Sequence, residues 1–139
     1  MLITIPGKPI AKARPRFYRR SGHVGTYDGQ ISESGRWFLQ AKDQITERFE
    51  GPICVNLKFF FARPKSHFGT GKNAGILKKS APYFHTTKLD IDNCIKFALD
   101  VLNGYAYFDD KQIVHLVAAK EYAEPGTERT EIFICRAVE

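Results

Sequence analysis

Two aspartates separated by a single residue, Asp90 and Asp92, are the side chains of this chain best suited to chemistry. Carboxylates at that spacing point the same way in extended backbone, and their like charges repel unless a cation neutralises them. Hard oxygen ligands of this kind suit Mg²⁺ or Mn²⁺ and not zinc. The spacing therefore indicates a divalent-cation site. The alternative is structural: Asp90 would only cap a helix, and Asp92 would only complement the positive end of its dipole.

The segment that carries these acids, residues 90–103, is predicted to be a helix closed by Gly104. At about 100° per residue, its polar residues fall on one narrow stripe and apolar residues fill the rest of the circumference. Asp92 and Lys96 are neighbours on that stripe, one turn apart. Because so apolar a helix is expected to be buried on most sides, the stripe is expected to face a site. Lys96 would there stabilise developing negative charge or orient an attacking water; alternatively, it only pairs with Asp92 or Asp100.

A second acidic pair, Asp109-Asp110, follows an aromatic run and precedes an apolar strand pattern. Aspartates are common in turns because the carboxylate bonds nearby backbone groups. Taken alone, this pair supports no functional assignment.

The elements that must position these residues follow from the periodicity of the apolar side chains. Four segments alternate apolar and polar residues, which predicts strands, and a second helical pattern begins near Ser32 or Ser34, either of which can cap it. The predicted strands are 2–5, 53–61, 112–122 and 130–135, and the helices are 32–50 and 90–103. A long loop or irregular ribbon is predicted over about 8–30, and a long loop over 64–88. We therefore predict an α+β fold over 1–139, a single small domain whose mixed β-sheet of about four to five strands packs against two main helices.

Charge is unevenly distributed over the chain, whose net charge is +6. Six basic residues and no acid lie between Lys8 and Arg20, and six more with no acid lie between Arg63 and Lys88. Residues 89–139 reverse the balance, with ten acids against five bases. Basic segments are suited to hold a polyanion, while the acids are suited to hold something cationic.

Composition excludes several classes of protein. No run approaches the roughly 20 apolar residues needed to span a bilayer, and the N-terminus does not resemble a secretory signal. The widely spaced Cys54, Cys94 and Cys135 are expected to be buried free thiols, not zinc ligands or disulfide partners. We expect a cytoplasmic protein with no membrane partner.

Together, Asp90-Ile91-Asp92-Asn93, Lys96 and Asp109-Asp110 resemble the RusA family of Holliday junction resolvases. This array is far more specific than any of its pieces. The agreement is closest over about 88–120, the expected catalytic core, and extends more loosely over the whole chain. The long loop after residue 63 resembles the longer versions in phage and prophage members. Much of it is absent from short members, so no roles carry over to it, and Leu89 stands where many relatives have proline.

The resemblance implies a homodimeric, Mg²⁺-dependent endonuclease that cuts four-way DNA junctions by paired nicks during recombination and repair. The catalytic residues would be Asp90, Asp92, Lys96 and Asp110, with Asp90, Asp92 and Asp110 holding the metal. The choice of Asp110 over its neighbour comes from the resemblance. Because junction symmetry suits a two-fold dimer, the apolar side of the 90–103 helix is a candidate interface.

Beside such a site, the basic segments are predicted to contact DNA phosphates, with aromatic residues available to stack on exposed bases. For either segment alone, the alternative is a solvated basic surface. A non-catalytic nucleic-acid-binding module and a nuclease acting on other branched DNA are the alternative functions. The predicted DNA-binding residues are Lys12, Arg14, Arg16, Arg19, Arg20, Lys72, Lys78 and Lys79.

Overall fold

The computed structural model describes residues 1–13, 16–27 and 29–138. The elements are β1 (Leu2–Pro6), β2 (Arg16–Arg20), β3 (His23–Tyr27), α1 (Ile31–Ala41), β4 (Ile53–Phe61), α2 (Ile91–Leu102), β5 (Ile113–Tyr122) and β6 (Arg129–Arg136). The main sheet has four strands in the order β1-β6-β4-β5, in which β6 runs antiparallel to both neighbours and β4 runs parallel to β5. A separate hairpin pairs β2 with β3. The predicted α+β domain with a mixed sheet and two helices is confirmed.

The core lies between the sheet and the two helices. Strand β4 alternates as predicted, with every second side chain from Ile53 to Phe61 buried. Helix α2 supplies the facing layer, and the ring of Trp37 from α1 meets Phe97 of α2 edge-on at 5.9 Å between centroids. Each such buried apolar side chain contributes about 1.5–3 kcal/mol. This packing fixes α2, and therefore the acids it carries, in the core that covers the sheet.

Helix α1 is shorter than the predicted 32–50, because the α-helix ends at Ala41 and a single 3₁₀ turn follows. The Gln44 amide there exchanges two hydrogen bonds with the backbone of Thr4, at 2.8 and 2.9 Å, and so fixes the chain to the edge strand β1. Phe49 lies in an extended segment and its side chain is buried in the core. Its N–H donates to the Ala106 carbonyl at 2.9 Å. The predicted cap at Ser32 or Ser34 is also wrong, since Gln30 occupies that position without a side-chain cap.

The predicted loop at 8–30 contains a regular hairpin. Strands β2 and β3 pair in register around a turn at Ser21-Gly22, whose φ angles are both positive at 50° and 81°. Such turns match the right-handed twist of the paired strands, and this local geometry overrides the irregular composition.

The loop at 64–88 has no helix or strand of the main fold, as predicted, but it folds back on itself. The Lys78 N–H donates to the His67 carbonyl at 2.9 Å, and the Gly69 N–H donates to the Ile76 carbonyl at 2.9 Å. In the described part of the chain, no helix is both long and apolar enough to cross a membrane. All three cysteines are free; Cys94 is buried as predicted, whereas Cys54 and Cys135 are half-buried.

Candidate functional site

Asp90 stands immediately before α2 with extended backbone, at φ −70° and ψ 137°. Its carboxylate is exposed and makes no capping hydrogen bond to the helix. The structural alternative required that carboxylate to accept from an N–H of the first turn. Asp90 therefore precedes the helix without capping it, and its oxygens remain available as ligands.

The polar stripe of α2 lies where helix geometry predicts it. Asp92, Lys96 and Asp100 are exposed on this stripe, while the opposite side of the helix is buried in the core. Among the described residues Lys96 forms no ion pair, and Asp100 instead pairs with Lys12, with 3.4 Å between Nζ and Oδ2. The alternative that Lys96 only neutralises Asp92 or Asp100 therefore has no support in these contacts.

The second acidic pair divides into two roles. Asp109 caps a 3₁₀ turn: its Oδ1 accepts from the Lys111 N–H at 2.9 Å, and the Gln112 side chain accepts from the Asp109 N–H at 2.9 Å. The Lys111 N–H holds the pKa of the Asp109 carboxyl below its usual value. Asp110 is exposed and takes no part in this capping box. Asp109 therefore serves the turn, and a hydrogen bond between the Asp109 and Asp110 side chains also helps to keep the pKa of Asp109 low.

Buried Tyr107 connects the second acidic pair to the helix. Its hydroxyl donates to the Leu99 carbonyl of α2 at 2.7 Å. Burial raises the pKa of Tyr107, and the charges of Asp110 and Asp100 raise it further. The residues just before the second acidic pair are therefore fixed to the C-terminal half of α2.

The buried thiol of Cys94, near the start of α2, is affected by the charged residues around it. Burial raises the pKa of its thiol to about 11, with further increases from the charges of Asp90 and Asp92 and an opposing effect from Lys120. Both acids and this lysine therefore lie around the same buried thiol.

The donor set suits a hard cation, since Asp90, Asp92 and Asp110 offer exposed carboxylates that no cap or ion pair among the described residues occupies. They do not form a ready-made cage: within the ranges the structure describes, no three His, Cys, Asp or Glu side chains are grouped closely enough to hold a metal ion. Asp90 and Asp92 lie at the start of α2, whereas Asp110 begins the 3₁₀ turn before β5.

Sequence reasoning missed Lys120 on β5. Lys120 pairs in register with buried Phe59, and its ammonium donates to the Thr87 carbonyl at 2.8 Å. Lys120 therefore holds the segment that precedes Asp90 against the sheet. The available signal was the alternation of β5, which places a lysine on the same face as Ala118 and Tyr122.

The predicted DNA-binding residues lie in two separate segments of the chain. Lys12 lies along the polar side of α2, where its N–H donates to the Asn93 carbonyl at 2.8 Å. Buried Gln30 holds this segment in place, because its side chain accepts from the Ala13 N–H at 2.6 Å and donates to the Ala11 carbonyl at 2.8 Å. Arg19 is exposed on β2, and Lys72, Lys78 and Lys79 are exposed on the long loop. Arg14 lies outside the described residues, as do the side chains of Arg16 and Arg20.

Comparison with known protein families matches residues 6–134 to endodeoxyribonuclease RusA. Among curated proteins, the chain is similar to the uncharacterized protein YqaN of Bacillus subtilis strain 168. The two are 34% identical over 134 residues, which cover 94% of this chain and 92% of YqaN. The likeness therefore spans the acidic helix, the second acidic pair and both basic segments.

Proposed function

The chain belongs to the RusA endodeoxyribonuclease family, and from this premise we propose that it resolves four-way (Holliday) DNA junctions by paired, metal-dependent phosphodiester hydrolysis in recombination and repair. The observation that carries this proposal is the pair Asp90 and Asp92. Their carboxylates are exposed and make no cap or ion pair among the described residues, at the start of a helix whose opposite side is buried. A capping role would have engaged Asp90 in a hydrogen bond to the helix, whereas Asp92 stands in the first turn, where its charge also complements the helix dipole.

Asp90, Asp92 and Asp110 would hold Mg²⁺ or Mn²⁺. When bound, such an ion supplies an activated water, charge neutralisation on the phosphate and stabilisation of the leaving 3′ oxygen. Water adds to phosphorus as the bond to the 3′ oxygen breaks, which leaves a 5′ phosphate and a 3′ hydroxyl. Lys96, one turn beyond Asp92 and without an ion-pair partner among the described residues, would donate to a phosphate oxygen as charge develops. The basic segments would hold the DNA backbone across the site.

Paired cutting needs two sites, so the active species would be a homodimer. The apolar side of α2 cannot supply the interface, because Phe97 and its neighbours already pack into the core of their own chain. The free edge of β5 is better suited. Over 113–119 it carries no charge, and Val114, Leu116 and Val117 are 54%, 44% and 60% exposed. Sheet edges exposed to water are normally protected by charges or proline, so an uncharged edge favours pairing with a second copy.

A panel of four-way, three-way, flap and linear DNA with Mg²⁺ tests the enzymatic proposal. Selective cutting of the four-way junction by symmetric nicks is expected. Equal cutting of linear duplex would refute the junction assignment, and preferential cutting of flaps would assign the enzyme to other branched DNA. Binding with no cutting of any substrate would instead support a non-catalytic module.

Sedimentation tests the dimer separately. Leu116→Lys places a charge on the β5 edge and is expected to yield monomers, whereas Leu39→Lys on the exposed side of α1 should leave the dimer intact. A wild-type monomer bound to junction DNA would refute the dimer proposal.

A further inference from the structure

Two neighbouring aromatic side chains of the long loop are exposed. Tyr83 and Phe84 are 70% and 67% exposed, and their rings meet edge-on with centroids 4.9 Å apart. Single exposed apolar residues are ordinary on protein surfaces. Two large adjacent rings are a different case, because together they expose a contiguous apolar surface of the kind that marks a binding site.

The backbone that carries these rings is anchored on both sides. The Pro82 carbonyl accepts a hydrogen bond from Arg63 at 2.7 Å, and Phe84 forms a β-bridge with Glu121 near the end of β5. The next residue, His85, is 8% exposed and stacks on the Phe61 ring at 3.9 Å. The rings are therefore presented by a fixed segment, so that little ordering of the chain would be needed to bind a partner.

The surroundings of the pair indicate the chemistry of that partner. The segment from Arg63 to Lys88 carries six basic residues and no acid, and Lys78, Lys79 and Lys88 are exposed. The same segment leads directly to Asp90, held on the way by the bond from Lys120 to the Thr87 carbonyl. Aromatic faces among basic side chains are the combination with which proteins bind unpaired nucleic-acid strands.

We propose that Tyr83 and Phe84 form a platform on which unpaired bases at the branch point of DNA stack. This inference rests on the proposed function. In linear duplex the faces of the bases are covered by their neighbours, whereas a branch point can offer exposed faces to an aromatic ring. The basic residues would bind any DNA backbone, and the platform would add affinity for branched DNA alone. Because every base has a π-face, the contribution would be tolerant of sequence.

Binding without cleavage tests the platform. Anisotropy with EDTA present would give affinities for a four-way junction and for linear duplex, and 2-aminopurine placed at the branch point would report stacking. The double variant Tyr83→Ala/Phe84→Ala is expected to bind the junction at least about 30-fold more weakly, the lower end of the range for two stacked bases. Its affinity for linear duplex should stay within about twofold, and the quenching of 2-aminopurine should disappear.

Matched variants separate stacking from other roles. The exchange Tyr83→Phe/Phe84→Tyr keeps both rings and should bind like the wild type, and Leu39→Ala, which removes exposed apolar surface elsewhere, should have no effect. Tyr83→Leu keeps apolar area without a ring and should weaken quenching while its melting temperature stays unchanged.

Three outcomes would overturn the platform. Unchanged junction affinity in the double-alanine variant, with a wild type that prefers junctions, would refute the platform and leave the proposed function standing. A wild type that binds junction and linear duplex equally would refute the platform, whereas only equal cutting of the two would refute the proposed function. A double-alanine variant that sediments differently from the wild type without DNA would assign the rings to a protein interface instead.

Discussion

Asp109 and Asp110 are adjacent and chemically identical, but Asp109 caps a turn whereas Asp110 is proposed to hold the metal ion. Substituting each in turn therefore tests whether the proposed metal ligand is Asp110. Asp110→Asn removes a proposed metal ligand at nearly constant volume. A loss of about 4 kcal/mol of transition-state stabilisation corresponds to roughly 10³-fold in cleavage rate. Asp110 is exposed and outside the capping box. The melting temperature of the Asp110→Asn variant should therefore stay within about 1 °C of that of the wild type.

Asp109→Ala is expected to do the reverse. It removes the acceptor for the Lys111 N–H, which lies 2.9 Å from Oδ1, so the melting temperature should fall by about 4 °C. Cleavage by the folded protein should remain within about threefold of the wild type, since no proposed ligand is lost. Asp109→Asn is the matched control, because asparagine caps as well as aspartate and should preserve both properties.

Junction cleavage under single-turnover conditions and thermal melting measure the two effects independently. Cleavage abolished by Asp109→Asn and retained by Asp110→Asn would reverse the assignment. An unfolded Asp110→Asn variant would show that this carboxylate serves the fold.

Three further predictions concern catalysis, pH and salt. Asp92→Asn should bind junctions with unchanged affinity and cut them at least 10²-fold more slowly; loss of binding together with folding would show a structural role. Burial, and next the charge of Lys120, lower the pKa of His85 in the folded protein. The stability that neutral His85 contributes is therefore complete above the unfolded pKa of about 6.5, and it is lost as the pH falls through the lower folded pKa. The melting temperature should therefore fall less between pH 7 and 5 in His85→Phe than in the wild type, with exposed His115→Phe as the control, and equal pH dependence would contradict the cause. Lys78→Ala should weaken binding to all DNA alike and reduce the slope of log affinity against log salt by about 1, whereas an unchanged slope would remove Lys78 from the phosphate contacts.

Helix α2 shows how far local sequence reasoning reaches. Its bounds, its polar stripe and the exposure of Asp92 and Lys96 follow from a fixed rotation per residue and from the apolar content of the remaining positions. Strand β4 was predictable for the same reason, because a period of two is set by the backbone itself. The acidic motif could be recognised because all of its residues lie within one short stretch of the chain, so that their spacing is visible in the sequence.

The predictions that were wrong concern segments whose backbone conformation is set by hydrogen bonds and packing with residues distant in the sequence. The pattern of α1 continued past Ala41, but Gln44 bonds to Thr4, 40 positions away, and Phe49 enters the core in extended backbone. No local rule contains these partners. The expected dimer face on α2 failed in the same way, since its apolar side was already needed to cover the sheet of its own chain.

The sequence by itself determined the fold class, the helix that carries Asp90 and Asp92, and the polar stripe on which Lys96 lies, because each depends on periodicity or spacing within one element. Only the tertiary structure showed that Asp109 caps the turn before β5, because that role depends on the Lys111 N–H reaching the Asp109 carboxylate and on the Gln112 side chain accepting from the Asp109 backbone N–H. It also brought Lys120 to the segment before Asp90, across 33 positions of chain. Hydrogen bonds and burial between distant residues fix these arrangements, and the free energy of such contacts exists only once the whole domain has folded.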